Sequence, residues 1–231
     1  MEFTKSLVKG KLIKRYKRFF ADIKLNKEVV TAHCPNTGSM MGLLNEGSEV
    51  YLIKNDDPKR KLKYGLEIIK SRNNLVGVNT HMANKIAHHG LKNNLIKELK
   101  NNENIKPEVF FNKETRFDFL IEKNKQKIFM EVKNVTLFRD KNTAEFPDAI
   151  TSRGAKHINE LIKANKKGYE IYIAFIIQRE DSKKFIVAAD IDPEYSKLLS
   201  KAVKKKLNIL CYDCKFSLKG IKLNNKIKYI I

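Results

Sequence analysis

The chain has 231 residues, with 47 Lys plus Arg against 26 Asp plus Glu and a formal net charge of +21. A hydrophobic fraction of 42% supplies an ordinary core and excludes wholesale disorder. No apolar run reaches the roughly 18 residues of a transmembrane helix, and the start, Met1 to Lys5, lacks the apolar core of a signal peptide. Three cysteines, an odd number, suit a reducing compartment, so the cytoplasm is the expected location and no membrane partner is expected. Cys211-Tyr-Asp-Cys214 is a lone pair and reads as two strand residues. A surface this cationic attracts polyanions, and nucleic acid, DNA first, is the leading partner. Part of the lysine excess is the mark that an A/T-rich genome leaves on any protein. Oligomeric state is not legible.

Residues 1–80 read as β-rich. Arg15 to Leu25 is read as a strand with Phe19, Ala21, Ile23 and Leu25 on one face and Phe20, Asp22 and Lys24 on the other. Asn26-Lys27 turns it into Glu28–His33, and Val50–Ile53, Tyr64–Ile69 and Leu75–Val78 follow, separated by turn chemistry at Asp56 to Pro58 and Arg72 to Asn74. Five short strands in this length predict a small OB-like barrel. Such barrels hold single strands with a basic groove and stacking rings, for which Arg15, Tyr16, Lys17 and Arg18, next to Phe19, are the candidates. The loop from His33 to Gly42 is either a plain turn or a small-residue loop offering backbone contacts to phosphate. No Gly-Lys-Ser/Thr follows, so it is not a P-loop.

From residue 81 the period lengthens. Ala83, Ile86, Ala87, Leu91, Leu95, Ile96 and Leu99 predict a helix over 81–100, with Glu98 near its end. Ile105–Phe111 is read as a strand. Glu114 to Ile121 and Ile128 to Lys133 are read as two more, with Phe117, Phe119 and Ile121 alternating against Arg116, Asp118 and Leu120. Residues 134–148 read as a polar loop. A helix capped by Thr151 or Asp148 runs to Gly168, and Glu170–Ile177 is apolar enough to sit at the centre of a sheet covered on both faces. A strand over 184–188, a helix over 192–206 with Pro193 early, a strand over 208–216 and a terminal β segment complete the chain.

Side chains two apart on a strand share a face, so Glu131 and Lys133 point together and Val132 points into the opposite layer. If the two strands pair, Asp118 lies beside Glu131. Hard divalent cations such as Mg²⁺ or Mn²⁺ take oxygen ligands of this kind, and a lysine beside them can orient or deprotonate a water. The pattern of Asp, then Glu-x-Lys on the next strand, resembles the PD-(D/E)xK nuclease superfamily, with Phe117 where the proline of that name stands.

Longer strings are more specific. Arg15-Tyr-Lys-Arg-Phe, His33-Cys-Pro-Asn-Thr-Gly, Val78-Asn-Thr, Phe146-Pro-Asp-Ala and Arg153-Gly-x-Lys-His resemble the sugar fermentation stimulation protein family, SfsA, over nearly the whole chain. The resemblance implies an α/β protein: an N-terminal OB-like barrel over 1–80, then a nuclease-like mixed sheet flanked by helices over 81–231. It also implies DNA binding and a link to the regulation of sugar metabolism. Asp118 and Glu131, with the Val132 carbonyl, fall on the superfamily's metal positions, and Lys133 on its water-activating position. Glu98, by its element, or Glu114, by its proximity to Asp118, is the candidate for the further glutamate that the superfamily often adds. Arg153, Lys156 and His157 are candidates for nucleic-acid contact, Arg153 and His157 as a phosphate clamp. The expected function is DNA binding with metal-dependent phosphodiester hydrolysis. The alternative is a non-catalytic DNA-binding regulator built on a nuclease-like fold.

Overall fold

Alternating apolar residues in the first third of the chain build six strands: β1 (Leu7–Tyr16), β2 (Phe20–Leu25), β3 (Glu28–His33), β4 (Glu49–Lys54), β5 (Tyr64–Ser71) and β6 (Asn74–Gly77). They lie in the order β3-β2-β1-β4-β5-β6 in the computed structural model, which describes residues 1–231. A parallel contact at His33–Gly65 closes β1 to β5 into a five-stranded barrel, and β6 extends β5. Leu12, Ala21, Ile23, Val50, Leu52 and Leu66 fill it. The expected strand from Arg15 to Leu25 is instead a hairpin. Lys17 and Arg18 take φ of 46° and 61°, and Tyr16 pairs with Phe20. Left-handed φ is ordinarily signalled by Gly or Asn, and neither is present, so the turn carried no sign in the sequence. Phe19 therefore sits in the turn, 44% exposed, and stacks on His33.

The second sheet runs β14-β13-β11-β9-β8-β7, built from β7 (Asn104–Phe110), β8 (Arg116–Lys123), β9 (Gln126–Val135), β11 (Glu170–Ile177), β13 (Leu207–Ser217) and β14 (Gly220–Lys226). β9, β11 and β13 are parallel and the remaining pairings antiparallel, which makes the sheet mixed. Helix α1 (Met82–Lys92) covers one face; α2 (Ser152–Lys166) and α3 (Pro193–Val203) cover the other. Ile171, Ile173, Phe175 and Ile177 of β11 are fully buried against α2 and α3, as a central strand requires. The caps are Thr151, whose hydroxyl accepts from Gly154 N–H, and Asp192 ahead of Pro193.

Two expectations in this half are corrected. The helix read over 81–100 ends at Lys92; Asn94 takes φ of 55°, and a separate 3-10 turn, Lys97–Leu99, carries Glu98. Asn-Asn supplies a left-handed stop that the apolar spacing alone runs through. The polar loop over 134–148 contains strand β10 (Thr143–Phe146), paired with β12 (Lys184–Val187), which in turn pairs with β15 (Lys228–Ile230). Its charged Glu145 is buried because the Arg139 guanidinium takes both carboxylate oxygens.

Barrel and sheet share a junction. Tyr51 and Ile68 of the barrel belong to the same buried cluster as Ile86 and Leu91 of α1 and Met130 and Ile176 of the sheet. Gly77 N–H donates to Gln178 O at 2.9 Å, and a Cβ at Gly77 would lie 2.3 Å from Gln178 Oε1 and 2.8 Å from Phe216 Cζ. Gly77→Ala should therefore cost about 1–3 kcal/mol, read as a lower urea midpoint at an unchanged slope. No helix is long and apolar enough to cross a membrane.

Candidate active site

The β8–β9 ladder runs from Lys123–Gln126 to Phe119–Met130 and stops there. Just beyond it, Asp118 Oδ2 accepts the Val132 backbone N–H at 2.7 Å, so a side-chain carboxylate stands in for a ladder carbonyl. Asn84, on α1, donates to Asp118 Oδ1 at 2.6 Å. The backbone of β8 turns over at this point. Phe119 and Ile121 pack in the α1-side cluster, whereas Phe117 packs in the α2-side cluster with Phe129. The expected single face for Phe117, Phe119 and Ile121 is thus broken at Asp118, the residue that leaves the ladder.

On β9, Glu131 and Lys133 do share a face, and Val132 packs in the opposite layer with α1. Lys133 Nζ donates to Glu131 Oε1 at 2.8 Å, and His157 Nδ1, reaching down from α2, meets the same oxygen. Glu131 Oε2 is buried and has no partner. Burial and, second, the neighbouring Glu131 charge push the Asp118 carboxyl up to about 6. Burial also acts to raise Glu131, but Lys133 and His157 outweigh it and hold that carboxyl below its ordinary range. Two carboxylates that resist joint ionisation, one with an unclaimed oxygen, form a donor set that fits a hard cation. No group of three or more His, Cys, Asp or Glu side chains converges, so water and substrate oxygens would have to complete the shell.

Two segments of the chain match family models, the "SfsA N-terminal OB domain" over residues 13–78 and the "Sugar fermentation stimulation protein RE domain" over 81–220. A sugar fermentation stimulation protein homolog of Pelagibacter ubique is 67% identical over 100% of this chain and 99% of its own length; one of Geotalea uraniireducens is 41% identical over 98% of each. The chain belongs to the sugar fermentation stimulation protein family. Its fold superposes on SfsA of Pyrococcus furiosus, solved in complex with Ca²⁺, with a TM-score of 0.90 at 26% identity, covering 100% of this chain and 98% of that one.

The strings through which the chain resembles SfsA meet in one cleft of about 470 Å³, beside Lys133 and Asn134. Asn36, Thr37 and Gly38 come from the barrel, Phe146 from the end of β10 with Pro147 and Asp148 just after it, and Thr151 and Arg153 from the start of α2. Arg18 reaches the cleft and is exposed, as is Lys17 beside it in the turn. Arg15 instead donates to the carbonyls of Arg18, Asn36 and Gly38, so it braces the two loops. Tyr16 stacks on Phe20, and its hydroxyl donates to Asp22. Lys156 faces outward to Glu114, 3.6 Å away, and Glu114 is 81% exposed. Glu98 accepts from Tyr212 at 2.8 Å and pairs with Lys226. Neither glutamate touches Asp118 or Glu131. The residue that reaches Asp118 from α1 is Asn84, which periodicity ranks as one more polar position on a helix. Asp148 does not cap α2; its carboxylate fills the space a side chain at Gly38 would need.

Proposed function

We propose that this chain binds nucleic acid, DNA first, and hydrolyses phosphodiester bonds in a divalent-metal-dependent reaction at Asp118, Glu131 and Lys133, in a cytoplasmic setting. The observation that carries this is the Glu131 carboxylate, whose Oε2 is buried and unclaimed while a lysine ammonium lies 2.8 Å from its other oxygen, with Asp118 bound to the next N–H along β9 and raised by burial and by the Glu131 charge. The Ca²⁺ complex of the Pyrococcus relative supports a hard cation, as does the net charge of +21 a polyanionic partner. Asp118, Glu131 and the Val132 carbonyl would hold one or two Mg²⁺ or Mn²⁺. Bound there, the ion would polarise a phosphoryl oxygen and acidify a water. Asn84 and the Val132 N–H hold the Asp118 carboxylate in place, and His157 fixes Glu131 so that Oε2 stays turned from it. Lys133 orients the attacking water and offsets charge developing on the phosphate. Arg153 and Arg18 hold flanking phosphates.

One observation favours a second function, a non-catalytic DNA-binding regulator of sugar-metabolism genes. Both Asp118 oxygens already have partners and Lys133 is bound to Glu131, so the network is nearly satisfied without a metal. Incubation with plasmid and oligonucleotide substrates in Mg²⁺, Mn²⁺ or EDTA separates the two. Cleavage that needs metal and disappears in Asp118→Ala is the expected result; binding without cleavage in either metal leaves the regulator. In either case affinity should fall steeply with salt, with a log–log slope of about −0.9 per phosphate on duplex. A flat salt titration would mean that the lysine excess is compositional and not a binding surface.

A further inference from the structure

We infer that the cleft between the barrel and the start of α2 seats a single unpaired nucleotide next to the scissile phosphate, so that the preferred substrate is a single strand or a frayed end. This rests on the nucleic-acid reading above and adds the form of the substrate. The cleft carries the separate chemistries of a nucleotide. Arg153 and Arg18 bring two cations against one carboxylate, that of Asp148, and Lys133, paired with Glu131, lies at the same wall. The N-terminus of the fifteen-residue helix α2, which has no acidic residue in its first turn, opens into the same space. A second observation points independently to a ligand. Asn36 lines the cleft, is only 3% exposed, and its side-chain NH₂ is buried without a partner, while its Oδ1 is spent on Gly38 N–H. An unpaired donor in that position costs about 1–3 kcal/mol unless something fills it. With the Asp148 carboxylate, which lies against Gly38 in the same cleft, as acceptor, the two match the donor and acceptor edges of a base or sugar. Apolar surface comes from Phe146 and from Ile150, which stands 81% exposed on the rim, an uncommon place for a large aliphatic side chain. At about 470 Å³ the cleft lies in the range of about 300–1,000 Å³ that encloses one small ligand. A base held in a duplex would have to leave its stack to enter.

The test is fluorescence anisotropy in EDTA, so that nothing is cut, using full-length protein with labelled oligothymidylate and with a blunt duplex. Ile150 and Arg153 are exposed, so Ile150→Ser and Arg153→Ala are not expected to disturb folding. The double variant should lose about tenfold in affinity for the single strand; on the duplex only the Arg153 phosphate contact is lost, so the deficit there should be clearly smaller. Ile150→Ser alone should lower single-strand affinity without changing the salt slope. Equal losses on both probes, or no loss on the single strand, would overturn the seat. Wild-type binding to duplex but not to oligothymidylate would overturn it while leaving nucleic-acid binding standing. Binding to neither probe would remove both.

Discussion

Lys133→Met should destabilise the protein by about 3 kcal/mol at pH 7 and lower any metal-dependent cleavage by a factor of about 10² or more. The Lys133 and Glu131 side chains are 13% and 5% exposed and 2.8 Å apart. Removing the ammonium leaves a buried carboxylate with His157 alone. In the wild type Glu131 is held below its ordinary range, so it contributes stability that is present above the unfolded carboxylate pKa and lost as pH falls through the folded one. The variant lacks that contribution. Its deficit should be full at neutral pH and shrink in acid, where Glu131 is protonated in both states. Urea unfolding at pH 7 and in acid reads the stability half of this expectation. Single-turnover cleavage reads the other half. A variant that is destabilised yet cuts normally would remove lysine from the chemistry without touching the ion pair.

Asp118→Asn should behave in the opposite sense with pH. Asp118 is raised to about 6, so ionising it opposes folding: the penalty is absent below the unfolded pKa, grows as pH rises, and is complete above about 6. The rise from the ordinary aspartate value to about 6 corresponds to about 3 kcal/mol, an upper figure for a half-buried group. The amide also loses something constant, since Asn84 and the Val132 N–H are both donors and only one carbonyl oxygen remains to accept from them. The difference between variant and wild type isolates the charge. Measured without metal, it should move in favour of the variant by up to about 3 kcal/mol between pH 4 and pH 7 and then level off. A difference that stays flat across that interval would mean that neither burial nor the Glu131 charge raises the Asp118 carboxyl.

The two-part architecture was legible because it rests on period. Alternation marked most barrel strands, and a continuous apolar run marked β11, buried on both faces. What escaped rests on backbone conformations that apolar spacing does not announce. Lys17 and Arg18 turn a chain that reads as one strand, and Asn94 stops a helix whose apolar stripe continues beyond it. The juxtaposition of Asp118, Glu131 and Lys133 was readable because two-residue periodicity and neighbouring strands suffice to bring them together. Asn84 was not, because its partner lies 34 residues away and is reached only when α1 packs across the sheet. Glu98 is a candidate by its element and Glu114 by its nearness in sequence to Asp118, and neither criterion sets the direction of a side chain. Glu98 is taken up by Tyr212 and Lys226, and Glu114 faces solvent with Lys156.

Tyr51 and Ile68 lie inside the cluster that α1 and the second sheet enclose. The two family segments, 13–78 and 81–220, are separated by only two residues, 79 and 80, and meet across that cluster. They are modules to a sequence comparison but not to water. A lineage that lost or exchanged the barrel would open that cluster to solvent, and one that kept the barrel alone would bare Tyr51 and Ile68. The two parts therefore shield one another, and heat should melt them in one transition instead of two.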